Sequence, residues 1–224
     1  MTQIGFLLFP NVTQLDLTGP LQFLSRVPGA RVHVVAASLN PVATDCGIAI
    51  VPTCDFATCP DLDVICVPGG FGVVDAMRDD ALLAFVRRQA AIARYVTSVC
   101  TGTFILGAAG LLSGKRATTH WAYVDLLPRI GASVEQARVV RDGQLITAGG
   151  VTSGIDFGLV VAAELAGETV ARSIQLALEY DPAPPFDSGS PDRATKLIRA
   201  TLDQRFAASR AAYSDALTEL ADPA

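Results

Sequence analysis

A cysteine stands at the most reactive position this sequence can offer. In Val96-Thr97-Ser98-Val99-Cys100-Thr101-Gly102-Thr103, a β-branched run reads as a strand and Phe104 to Leu112 reads as a helix. Cys100 falls where one ends and the other begins. Free N–H groups and the positive end of a helix dipole stabilise an anion at such a junction. A thiol there is expected to have a lowered pKa and to be a ready nucleophile. Thr101 and Gly102 are small enough for the sharp turn, so the segment is analogous to the nucleophile elbow of hydrolases. The alternative is that Cys100 is a small buried hydrophobe. That is the reading for Cys46, Cys54, Cys59 and Cys66.

Three further stretches could serve the same chemistry. Val67-Pro68-Gly69-Gly70-Phe71-Gly72 puts consecutive glycines after an apolar run. Their N–H groups can face a crevice, and the Gly70 N–H could hold developing negative charge. A plain tight turn is the alternative. Asp16 lies between Leu15 and Leu17, and an acid in apolar company is paired, hydrogen-bonded or protonated. It either faces the thiol as a proton donor and acceptor or caps a helix. His120, in Thr118-Thr119-His120-Trp121, would form a Cys–His dyad or is structural. His33, in mid-strand, is read as structural, and Trp121 and Tyr123 as core or interface.

Elements that would position these residues follow from the hydrophobic pattern. Ile4–Phe9, Arg31–Ala37, Asp63–Pro68 and Tyr95–Val99 read as strands buried on both faces. Residues 13–25 read as a helix that Gly19-Pro20 breaks or restarts. Residues 41–54 suggest a hairpin. Residues 80–94 and 101–112 read as helices, Ala117–Thr119 as a short strand, and Trp121–Leu127 as a helix stopped at Pro128. Ala137–Val140 and Gln144–Ala148 flank an Asp-Gly turn, which predicts a hairpin. Ser153 is the expected N-cap of a helix, Ile155 to Leu165, that is apolar nearly all round and so read as central and buried, and that Gly167 stops. Near its start, Asp156 balances the helix N-terminus. Another helix runs from Glu168 to Tyr180. Alternating strands and helices predict an α/β fold, a largely parallel sheet sandwiched by helices. One domain, 1–224, is expected, with a Pro-rich segment at 182–191 and a C-terminal helical extension at 192–220.

Composition excludes several functions. Charged residues are 17% of the 224 and the net charge is -5, which disfavours nucleic acid as a partner. Half the residues are hydrophobic, so disorder is excluded. The uncharged run Tyr95–Gly114 has the length of a bilayer span, about 20 residues. It contains three Thr, two Ser, four Gly and a Cys, and reads better as a buried strand and helix. No membrane partner and a cytoplasmic location are expected. Five cysteines without a secretion signal argue against a disulfide framework. Cys54 and Cys59 have no histidine near them, so no metal site is expected. Neither dinucleotide nor P-loop glycine patterns occur.

With these motifs in view, the chain resembles the ThiJ/PfpI superfamily, of the class I glutamine-amidotransferase-like, flavodoxin-like fold. The resemblance runs from Ile4 to about Ala194. It rests on GFLLFPNVTQLDLTGP, VPGGFG, SVCTGTFILGAAGLL, ATTHW and TAGGVTSGID. It is nearest the isocyanide hydratase branch. The resemblance implies Cys100 as nucleophile, Asp16 as the acid beside it, where many members hold Glu, and Thr101 as the neighbour that shapes the site. Proteolytic members carry His after the cysteine. Here Thr101 stands there, and an amidotransferase His–acid pair is missing downstream. The implied reaction is hydration of a small isocyanide to an N-substituted formamide through a thioimidate, without cofactor or metal, by a homodimer. Glyoxalase-like or deglycase-like activity, a redox-stress role and a sensor domain of AraC-type regulators are the alternatives.

Overall fold

Apolar runs without alternation need cover on both faces, and a central parallel sheet supplies it. The computed structural model describes residues 1–221. The last three residues of the expected 1–224 unit lie outside it. Seven strands form the main sheet: β1 (Thr2–Leu7), β2 (Ala30–Ala36), β5 (Cys54–Asp55), β6 (Val64–Val67), β7 (Tyr95–Val99), β10 (Val139–Asp142) and β11 (Leu145–Ala148). Their order is β10-β11-β7-β6-β1-β2-β5. All neighbours are parallel except β10 and β11, the expected Asp-Gly hairpin. The expected hairpin in 41–54 is β3 (Val42–Ala43) paired antiparallel with β4 (Ala49–Ile50). Two further short strands, β8 (Arg116–Ala117) and β9 (Ser133–Val134), pair with each other.

One helical layer contains α1 (Gln14–Leu24), α5 (Ser153–Ala166) and α6 (Glu168–Ala177), packed side by side. The other holds α2 (Val73–Ala76), α3 (Asp80–Ala90), α4 (Gly102–Ala108), a 3-10 segment at Trp121–Ile130 and the C-terminal α7 (Lys196–Ala221). The mostly parallel, helix-flanked sheet is the expected α/β architecture. From β1 the chain moves outward to β2 and β5, then returns to β6 on the other side of β1. That reversal opens a crevice at the carboxyl ends of β1 and β6.

Several local expectations are corrected. Gly19-Pro20 does not break α1, which runs through Pro20. The proline ring lies against Gly154 of α5, and the Pro20 backbone lies against Gly158. Helix α4 stops at Ala108, short of the expected Leu112, and a left-handed Gly110 (φ 80°) turns the chain. The segment after His120 is 3-10 and continues through Pro128 to a left-handed Gly131 (φ 76°). Ser153 is the first residue of α5, not its cap, and its hydroxyl has no partner among the described residues. Helix α5 is not covered all round, since Val160 is exposed. Its Asp156 is held by Arg138 and by the Tyr180 hydroxyl.

Candidate active site

Three strand ends deliver the site. After β1 comes Asp16, in the first turn of α1; after β6 come Gly69 and Gly70; after β7 comes Cys100. Cys100 has φ 57°, the left-handed region that a side chain enters at a cost of about 1–2 kcal/mol. Its backbone is fastened on both sides. The N–H donates to the Ala148 and Gly149 carbonyls, at 3.1 and 2.8 Å. The carbonyl accepts from the Thr119 and Thr103 hydroxyls, at 2.7 and 3.3 Å. Thr103 is in turn bonded to Ser98 (2.8 Å) and to the Thr118 carbonyl (3.0 Å). These buried hydroxyls maintain the strained turn against relaxation. This is the expected elbow.

The Asp16 carboxyl is 1% exposed. Its Oδ2 accepts the Gly69 N–H at 2.9 Å, its Oδ1 is buried with no partner among the described residues, and the carboxyl lies beside the Cys100 thiol. Burial pushes Asp16 up to about 7, against the pull of the Gly69 N–H and of Cys100. Cys100 is corrected in direction. The helix N-terminus was expected to lower its pKa. Burial, and then the Asp16 carboxylate, push the thiol well above its ordinary value, and only the N–H and hydroxyl of Thr101 pull it down. A buried site resists two negative charges, so the pair holds a proton between them.

The glycines also differ from expectation. Gly70 donates its N–H to Thr101 Oγ1 at 3.1 Å, and Gly69 donates to Asp16. Both groups position side chains here instead of facing an empty place for developing charge. Gly69 must be glycine because a Cβ would lie 2.6 Å from the Thr101 nitrogen and 2.9 Å from Asp16 Oδ2. A Cβ on Gly102 would fall on the Val67 carbonyl and lie 2.6 Å from the Pro68 oxygen. Both obstacles are backbone and cannot rotate away. Gly102→Ala is therefore expected to cost about 3 kcal/mol or more and to lower the thermal midpoint by roughly 6–12 °C, read by calorimetry.

A cavity of about 330 Å³ opens above the sulfur. Its walls include Cys100, Thr101, His120, Tyr123, Phe206 and Tyr213. No hydrogen bond joins His120 to Cys100. His120 Nδ1 accepts the Ala122 N–H at 3.2 Å, and burial lowers its pKa to about 4, so at neutral pH it is an uncharged ring in the wall. His33 bonds Gln3 across β1 and β2, away from the site. Cys66 is buried, with its thiol pushed up to about 12. Among the described residues, no three His, Cys, Asp or Glu side chains gather as a metal cluster. Within the same residues, no helix is long and apolar enough to cross a membrane.

Sequence reasoning missed Tyr213, Phe206 and the threonines that fasten Cys100. The Thr118-Thr119 pair was visible as a hydroxyl cluster. Tyr213 had only a weak signal, an aromatic in the Ala-rich stretch Ser209–Leu217.

Known proteins are similar to this chain in sequence and fold. Isonitrile hydratase from Pseudomonas putida is 61% identical over 196 residues, 88% of this chain and 86% of that protein. A crystal structure of a ThiJ/PfpI family protein from Pseudomonas syringae superposes with a TM-score of 0.94 at 46% identity, covering 96% of this chain and 90% of that one. A DJ-1 superfamily protein from Salmonella typhimurium, crystallised as a cysteine-to-alanine mutant, gives 0.74 at 26% identity, covering 81% of this chain and all of that one. Residues 2–164 match the DJ-1/PfpI family, and with the matched stretch carrying the elbow, the glycine pair and Asp16, the chain belongs to that family.

Proposed function

We propose that this protein is an isocyanide hydratase, converting R–N≡C and water to an N-substituted formamide. The reading is carried by one observation: a strained Cys100 lines a small cavity with the buried Asp16 carboxyl beside it, in a chain 61% identical to isonitrile hydratase from Pseudomonas putida. Thr101, carried with its N–H and hydroxyl beside the sulfur, favours the thiolate.

The chemistry follows from what each group holds. A proton passing from Sγ to Asp16 turns the thiol into a nucleophile with no change in net charge. The thiolate then attacks the terminal carbon of the isocyanide. Asp16 gives its proton to that carbon, and a thioimidate, R–N=CH–S–Cys100, results. Water adds to the same carbon, one proton returns to Asp16 and one goes to nitrogen. The C–S bond breaks with its electrons on sulfur, releasing R–NH–CHO and restoring the pair. A cavity with few exposed charges suits an uncharged substrate. His120, neutral, lines the cavity and takes no proton. The five cysteines are free thiols, in keeping with a reducing cytoplasm. A homodimer is part of the same reading, by resemblance.

The test is direct. Purified protein incubated with an aryl isocyanide is expected to yield the formamide, followed by chromatography. Methylglyoxal, the substrate of a glyoxalase-like enzyme, is expected to remain. Methylglyoxal consumption without formamide overturns the reading.

A further inference from the structure

The family match ends at residue 164, yet the wall of the cavity does not. Helix α7 contributes Phe206 and Tyr213, from the far end of the chain. Most of α7 is exposed, and Tyr213 is its most deeply buried residue, at 1%. Its ring stacks edge-on against Phe104 of α4, with centroids 5.1 Å apart, and lies 4.8 Å from Tyr123. Phenylalanine would fill that space equally well. A buried hydroxyl costs free energy unless it is bonded, so the oxygen needs its own account. It donates to the Gly70 carbonyl at 3.4 Å. Gly70 donates its N–H to Thr101 Oγ1, and Thr101 bears on the Cys100 sulfur.

We propose that Tyr213 is a positioning residue for the nucleophile: its hydroxyl holds Gly70, and through the Gly70 N–H it holds Thr101, so that the Thr101 donors stay on the Cys100 sulfur. The C-terminal helix is then part of the active site and not an appendage to it. The inference rests on Cys100 as the nucleophile. It does not need the substrate to be an isocyanide, because the reactivity of the thiol can be read alone.

Tyr213→Phe keeps the ring and removes the oxygen. Loss of Thr101's hold weakens the groups that pull the thiol pKa down, so the pKa rises. The rate of Cys100 alkylation by iodoacetamide, followed on the Cys100 peptide by mass spectrometry, is expected to move its midpoint to higher pH by roughly half a unit or more. Formamide kcat is expected to fall about tenfold with KM within twofold, at an unchanged thermal midpoint. Glu219→Gln is the control. It loosens the Arg78–Glu219 pair (2.7 Å) that fastens α7 outside the cavity. It is expected to leave the alkylation profile as in the parent protein. A parental alkylation profile in folded Tyr213→Phe overturns the proposal. So does a Glu219→Gln protein that reproduces the shift, which would assign it to the helix as a whole. Absence of formamide from the parent, with the alkylation shift intact, would count against the isocyanide reading alone.

Discussion

Cys100→Ala is expected to abolish isocyanide hydration, a loss of at least about 10⁴-fold in kcat/KM, because no other group in the cavity can make the covalent bond. Tyr213, Tyr123 and His120 line the same space. Burial raises both phenols and leaves the imidazole neutral and fully engaged at Nδ1. Water alone must then attack the isocyanide carbon, which is the uncatalysed reaction. The fold should survive. Alanine keeps the backbone bonds to Ala148, Gly149, Thr103 and Thr119, and pays no more for φ 57° than cysteine does. Chromatography of the formamide, with circular dichroism as the check on folding, reads both halves. A folded Cys100→Ala protein that retains more than a hundredth of the activity sinks the covalent scheme.

Asp16→Asn is expected to do two opposite things. Turnover should fall by about 10²–10⁴-fold, the range for losing a positioned acid and base. Asparagine still accepts the Gly69 N–H but cannot exchange a proton with the sulfur. Stability should rise. Asp16 titrates near 7 folded and near 3.8 in a free chain. Its protonated form favours the folded state fully below the unfolded value, and that advantage is lost as pH rises from about 4 to about 7. Above pH 7 the folded protein carries a buried charge that asparagine lacks. The variant's thermal midpoint should therefore exceed the parent's by several degrees at pH 8, and the gap should narrow towards pH 5. Equal gaps at both pH values would mean that the carboxyl is not held protonated by the fold.

The sheet and the elbow were legible because they depend on local pattern. Val64–Val67 is a continuous apolar run and Tyr95–Val99 an uncharged one rich in β-branched residues, as suits a parallel strand buried on both faces. Asp16 was visible because an acid between leucines is rare in a chain this poor in charge. The direction of the Cys100 pKa was not legible. Helix dipole and burial oppose each other, and burial depends on α7, whose docking no local pattern predicts. Likewise, the glycine N–H groups looked available for substrate because their partners, Asp16 and Thr101, lie on other strand ends. Pro20 misled for a related reason. Helix α1 packs closely there because Gly154, far along the chain, leaves room for the ring and Gly158 for the Pro20 backbone.

Helix α7 is tied down chiefly by side chains reaching across its surface: Arg210 to Asp125, Arg129 to Ser214 and Thr218, Tyr123 to Ser209, and Arg78 to Glu219. Only Tyr213, Ala216 and Leu217 enter the core. The Pro-rich segment 182–191 joins this helix to the rest without regular structure. Two kinds of information thus occupy separate lengths of the chain. Asp16, Gly70, Cys100 and Thr101 all precede residue 166, and the last stretch adds Arg205, Phe206 and Tyr213 to the wall of the cavity. A change of selectivity can arise by retuning wall residues of the tail such as Arg205 and Phe206, provided that Tyr213 stays to hold the nucleophile.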